Sequence, residues 1–409
     1  MSVRGWTILA VLSVAACRDT PPAPQSAGGV RPASHRSPLS QNELRTTDGA
    51  IALGNLQAQI DGEERLATDR PLTLKQRAGI AELIAMRGQF LGSIADYERA
   101  EALADDMVRD APTDGVALLA RARARSTFHR FDDALRDLAA AERLGFESRR
   151  IDSLRAAIFQ ATGRYDEALA FRQRVAQTQP DIESLGAEAS VHADRGDVEE
   201  AERLFTEAPH HYRDVSPFPL AWLYFQQGQM WMREGKVERA REFFEAAHTR
   251  LPAYAAAQGH LAEVEAALGN SARAIELLRP LAQTSDDPDY ATQLARVLGQ
   301  TGQAEAARRW RDAAAARYDE LIARHPEAFA DHAAEFWMWA GGDAQKALTL
   351  AQRNLEIRRT PRAYELVLQA ALAAGDHAAA CAAAAHTRTL GHLWPSLSTL
   401  TGRAATACG

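Results

Sequence analysis

Along most of the chain a glycine is followed five residues later by an alanine, and the pair recurs at a near-constant interval. Gly163 precedes Ala168, Gly196 precedes Ala201, Gly235 precedes Ala240 and Gly269 precedes Ala274. The pattern continues with Gly302 and Ala307, Gly342 and Ala347, and Gly375 and Ala380. Upstream the glycine is replaced but the frame persists, at His129 with Ala134 and at Ala95 with Ala100. Successive frames lie 34, 34, 33, 39, 34, 33, 40 and 33 residues apart. An interval of this length marks a helical repeat array, and nine units of it fill Ile80 to about Leu393. Each unit reads as two amphipathic helices joined by a tight turn.

The residue types fit that geometry. The glycine ends the first helix, where a left-handed backbone costs it nothing. The alanine lies where the second helix comes closest to the first, so Ala100, Ala134, Ala168, Ala201, Ala240, Ala274, Ala307, Ala347 and Ala380 are the expected packing positions. A second small residue stands seven places before the glycine frame, as at Gly88, Ala122, Ala156 and Gly228. Prolines follow several second helices (Pro112, Pro180, Pro252, Pro326), where a helix must stop. Two units are longer by about six residues. Unit four is followed by the loop Pro209–Pro217, and unit seven extends its second helix through Ala313-Ala-Ala-Ala-Arg-Tyr-Asp-Glu320. A solenoid needs capped ends. Ile51, Leu53, Leu56 and Ile60 predict a capping helix before unit one, and Thr73 with Gln76 predicts a capping box at its start.

Unit five carries the fullest signature. It has Tyr224, Gly228, Trp231, Gly235, Ala240, Phe244, Ala247 and Pro252 in order. These positions resemble the tetratricopeptide repeat family, and the resemblance covers about three quarters of the chain. It implies an all-α fold: a right-handed superhelical solenoid of about nine helix pairs with N- and C-terminal capping segments. The expected organisation is a leader at 1–16, a linker at 17–45, a capping helix at 46–72, the solenoid at 73–393 and a C-terminal cap or tail at 394–409.

The leader carries an address. Arg4 is followed by a mostly apolar stretch, Trp6–Ala16, ending in Val14-Ala15-Ala16-Cys17. This is too short to span a bilayer and has the layout of a secretory signal. The small residues before Cys17 resemble a bacterial lipobox. The resemblance implies cleavage before Cys17 and acylation of its thiol and new amine. Several acyl chains anchor stably, since each buried methylene adds ~0.8 kcal/mol. Arg18, rather than an acid, follows the cysteine, which favours the outer membrane, with the body in the periplasm or at the cell surface. Residues 18–42 hold five prolines, two glycines and several serines, so they cannot bury a core and should act as a solvated linker.

Composition narrows the function classes. The 409 residues are 46% apolar and 25% charged with net charge −7, which argues against an extended phosphate-binding surface and a nucleic-acid partner. With Cys17 lipidated, Cys381 and Cys408 remain. An even pair outside the cytoplasm is a disulfide candidate that would pin the C-terminal cap. No phosphate-binding glycine loop, H-E-x-x-H helix or G-x-S-x-G elbow is present. We therefore expect no catalytic residues, metal, cofactor or small-molecule substrate. His210-His211 reads as a solvated loop.

What remains is a surface. In the family the first helix of each unit lines a concave groove. That frame places Trp222, Phe225, Gln229, Arg233, His260, Glu263, Arg296, His332 and Trp339 there, so aromatic and hydrogen-bonding character concentrates in units five to eight. Units one to four offer mostly small residues, such as Ala85, Ser153, Gly186 and Ser190. The expected function is a non-enzymatic, membrane-anchored scaffold or adaptor that holds a protein or peptide partner during cell-envelope assembly or secretion. The alternatives are a regulator of cell-wall or polysaccharide machinery, and a solenoid enzyme such as a murein lytic enzyme. The latter has little sequence left for a catalytic domain after unit nine.

Overall fold

A computed structural model of the chain describes residues 44–146, 148–178 and 180–408. The leader, Cys17 and nearly all of the linker lie outside the described residues. The described residues are helical, with no strand among them, and run as consecutive antiparallel pairs. A capping helix α1 (Gly49–Asp69) comes first. Unit one pairs α2 (Leu74–Leu91) with α3 (Ile94–Asp110), and unit two pairs α4 (Gly115–Thr127) with α5 (Phe131–Arg143). Unit three is α6 (Ser148–Ala161) and α7 (Tyr165–Thr178); unit four is α8 (Ile182–Arg195) and α9 (Val198–Glu207). Units five and six are α10 (Phe218–Arg233) with α11 (Val237–Arg250) and α12 (Ala255–Ala267) with α13 (Ser271–Thr284). Unit seven is α14 (Pro288–Gln300) and α15 (Ala304–Arg324); unit eight is α16 (Pro326–Met338) and α17 (Ala344–Ile357). Unit nine is α18 (Pro361–Ala374) with α19 (His377–Thr387), and α20 (Pro395–Ala407) closes the array.

The small residues work as their spacing implies. Eight of the nine frame alanines are buried, and the exception is Ala307. Ala307 lies on α15, which has 21 residues against 14 for α13 and α17. At Gly228 an added Cβ would come 2.5 Å from the Phe244 ring, so the helices of unit five could not close around any side chain there. At the start of α2, Thr73 accepts from the Gln76 amide and the Gln76 side chain accepts from the Thr73 amide, both at 3.3 Å.

Two turns depart from the sequence frame. In unit one the left-handed residue is Gly92, with φ 63°, three places before the expected Ala95. The helix stops earlier because Ser93 caps α3, its hydroxyl accepting from the Asp96 amide at 3.2 Å. In unit two His129 itself takes φ 56°, a conformation in which a side chain is strained. Its ring is held at Nδ1, 3.1 Å from the Glu327 carbonyl, and stacks on Phe131. Burial pushes the His129 imidazole down to about 3, so it is neutral and Nδ1 donates.

That last contact belongs to a series. The carboxylate of Asp286, before unit seven, accepts from the Ile94 and Ala95 amides of unit one at 2.6 and 2.9 Å. His129 of unit two meets the start of unit eight. Arg358, before unit nine, donates to the Ala161 carbonyl of unit three at 3.3 Å. His392, between unit nine and α20, lies 2.9 Å from Glu234 and packs on Gly196 of unit four. Arg250, before unit six, donates to the Leu44 carbonyl at 3.1 Å beside the capping helix. The inner turns of units one to four therefore each meet the chain six units further on. The superhelix is wound so tightly that its successive coils touch along a continuous seam.

Candidate functional site

Tight winding decides which surfaces stay open. The concave face encloses a cavity of about 2010 Å³, bounded by α1, by the first helices of units one to five, by α7 and by the loop after unit four. The small residues of the early units create this space. Gly79, Ser153, Ala187 and Ser190 line it and leave the middle unfilled. Its rim includes Thr47, whose amide donates to the Val215 carbonyl at 2.6 Å and ties the capping segment to the unit-four loop. That loop begins with a short 3-10 helix, Ala208–His211, and Tyr212 folds under it with its hydroxyl on the Ser216 carbonyl. Among the described residues no group of three or more His, Cys, Asp and Glu gathers as a metal site.

Charge in the cavity is mixed. Arg149 lies 3.2 Å from Asp181, and Arg150 lies 3.6 Å from Glu82, which also pairs with the half-buried Arg123. Burial, with the nearby Asp181 charge, raises the Glu183 carboxyl to about 7 against the opposing pull of Arg149. Arg172 is different. It is only 9% exposed, and no hydrogen bond or ion pair reaches it among the described residues. Burial alone, with no offsetting carboxylate, pulls its guanidinium down to about 10, so it stays charged at neutral pH.

The residues expected in the groove are mostly placed elsewhere, because the coil closes over units five to eight. Trp222 alone of the nine lines the large cavity, seated against Gly186, where a Cβ would meet its ring at 3.0 Å. Phe225 is buried between Tyr254, Phe244 and His260, with ring centroids 5.2 to 5.8 Å apart. Gln229 is buried within α10. His260 and Glu263 form a buried pair at 3.1 Å on α12. Arg233 is bonded to Asp194, and with the buried His332 it lines a small enclosed space of about 60 Å³ between coils. Arg296 is half-buried on α14, and Trp339, at the end of α16, is 63% exposed and away from the cavity. Sequence reasoning missed Arg172, Glu183 and the loop residues. For Arg172 the available signal was an arginine on the packed face of a second helix.

Cys381 and Cys408 are joined in a disulfide, with Cα atoms 5.8 Å apart, linking α19 to the end of α20. Among the described residues no helix is long and apolar enough to cross a membrane.

Residues 232–297, from the end of α10 to α14, match the tetratricopeptide repeat family. Among solved structures, the human IFIT1 dimer with PPP-AAAA is 16% identical over 82% of this chain and 79% of that one, with a TM-score of 0.47. Pseudomonas aeruginosa PilF is 14% identical over 62% of this chain and 97% of that one, TM-score 0.36. A tetratricopeptide repeat protein from Parabacteroides merdae is 14% identical over 63% and 99%, TM-score 0.37. No curated protein sequence matches the chain.

Proposed function

We propose that this protein is a non-enzymatic adaptor of the bacterial cell envelope, anchored by acylated Cys17, that receives a polypeptide segment of a partner in the cavity of units one to five. A helical-repeat scaffold is a display surface, and the cavity is what carries the reading. At about 2010 Å³ it exceeds the ~300–1,000 Å³ typical of small-molecule pockets, and it is walled by helices from six successive elements of the array. That shape suits an extended chain. The leader supports the address: the apolar stretch Trp6–Ala16, closing in Val14-Ala15-Ala16 before Cys17, has the lipobox pattern, and the proline-rich stretch after it is long enough to hold the body clear of the head groups. Service to envelope assembly or secretion follows from that address.

Photo-crosslinking in the native host tests the reading. A benzoyl-phenylalanine placed at Ser153 or Ala187, inside the cavity, should capture the same polypeptide, while one at the exposed Trp339 should not. Capture from Trp339 alone would overturn the assignment of the cavity. Labelling of the wild type but not of Cys17→Ala by an alkyne-tagged palmitate should report the anchor, and an unlabelled wild type would remove it.

A further inference from the structure

The cavity contains one group that the fold leaves unanswered. Arg172 sits on α7, the second helix of unit three, on a face that in this architecture normally holds apolar packing residues. It is buried to nine-tenths, lines the cavity, and has no hydrogen-bonding or ionic partner among the described residues. Every other arginine lining the space differs. Arg149 and Arg150 have acids within 3.2 and 3.6 Å, and Arg213 donates to backbone carbonyls at 2.6 and 2.9 Å. A buried cation with no counter-charge costs a fold several kcal/mol, and replacement by an apolar residue of similar volume is commonly neutral or stabilising. Nothing in the packing of unit three therefore accounts for an arginine at this position.

We infer that Arg172 is an anion anchor in the cavity, and that the polypeptide it receives presents an aspartate or glutamate side chain to it. This rests on the reading that the cavity is the binding surface and specifies what that surface selects. A guanidinium fork matches a carboxylate with two parallel hydrogen bonds. The rest of the lining favours a polypeptide over a polyanion. Glu63, Glu82 and Asp181 stand in the same space as Lys75, Arg149 and Arg150, so a phosphate backbone would meet acids as often as bases. A chain with one acid set among neutral residues avoids that repulsion. Glu183, poised between its two protonation states near neutral pH, offers a hydroxyl donor or an acceptor to the backbone of such a segment.

The test uses the full chain extracted in detergent, immobilised and exposed to a randomised octapeptide pool. The peptides are acetylated and amidated, so side chains supply the only carboxylates. Retained peptides are read by mass spectrometry. Wild type should enrich Asp or Glu at one position of the octapeptide. R172M should lose that enrichment, with acidic peptides binding about ten- to hundredfold more weakly, while melting no lower than wild type. R172Q serves as the second variant if R172M does not fold. Retention of octapeptides by wild type with no acidic preference would overturn the anchor and leave the cavity reading standing. An acidic preference that survives in R172M or R172Q would also overturn it. A lower melting temperature in both variants with the preference intact would assign Arg172 to the fold. Failure of wild type to retain any octapeptide would sink both readings. Stronger retention of a randomised RNA octamer pool, lost in R172M, would replace the polypeptide with a nucleic acid.

Discussion

The coil seam makes an unusual claim about two amide protons. The first amides of an α-helix have no partner inside it and ordinarily exchange with solvent freely. In α3 the Ile94 and Ala95 amides instead donate to Asp286, 192 and 191 residues away, at 2.6 and 2.9 Å. Asp286 is held in turn by Arg317, whose Nη2 is 3.4 Å from the carboxylate and whose Nε donates to the Asp286 carbonyl at 3.1 Å. Loss of a capping side chain costs about 0.5–2 kcal/mol, and bonds to a charged acceptor about 1.5–3 kcal/mol each when buried. The Asp286 side chain is 31% exposed, so we take about 2 kcal/mol for the pair. Asp286→Ala should then speed exchange at Ile94 and Ala95 by about thirtyfold. It should also lower the first unfolding transition in urea by about 2 kcal/mol. The control is Thr73→Ala, which removes a cap within unit one: it should cost about 1 kcal/mol and leave the Ile94 and Ala95 amides as they were. Wild-type amides at 94 and 95 that exchange at the rate of free chain would refute the seam, whatever the stability of the variants.

Two more outcomes follow from the site and the cap. The Glu183 carboxyl is raised to about 7 from the ordinary value of 4.5, so the folded state binds more protons than the unfolded one between those values and stability falls as pH rises through that window. Glu183→Gln should match wild type at pH 4 and exceed it at pH 8 by on the order of 2 kcal/mol in urea melts; equal stability at both pH values would remove the shifted acid. Reduction of Cys381–Cys408, 27 residues apart in sequence, should release a closed loop worth about 3–4 kcal/mol in the chain-entropy model. Amides of α20 should then exchange at least tenfold faster while those of α10 do not change, and uniform protection before and after dithiothreitol would show that the bridge does not hold the cap.

The array was legible because its determinants are local. A left-handed turn needs a glycine, and close helices need alanine, and both can be counted along the chain. Even the departures could be read. The long α15 and the loop after unit four stand where the spacing stretched to 40 and 39 residues. The turn of unit one was missed because Gly92 and the capping Ser93 do the work three residues early, so the frame alanine Ala100 kept its place while its glycine moved. His129 was visible as a substitution. Its support from Glu327, 198 residues away, was not.

Most of the side chains expected in the groove are buried, for a physical reason that separates them from the turns. Aromatic and hydrogen-bonding side chains in units five to eight form a surface awaiting a partner only where the coil is open. Its pitch depends on how the start of one unit fits the turn six units earlier, a contact between residues 192 to 198 apart that no local pattern records. Phe225 and His260 pack on Phe244 and Tyr254 between units five and six, and His332 lines the small space where the coils touch, so large side chains mark where the interior is occupied. The small residues of units one to four carry the opposite message. Ser153, Ala187 and Ser190 lack the volume to meet across the axis, so the hollow persists there, and Arg172, without a partner among the described residues, stands at its wall. In a tightly wound solenoid open space therefore survives where the first helices carry small residues, rather than where aromatic residues are densest.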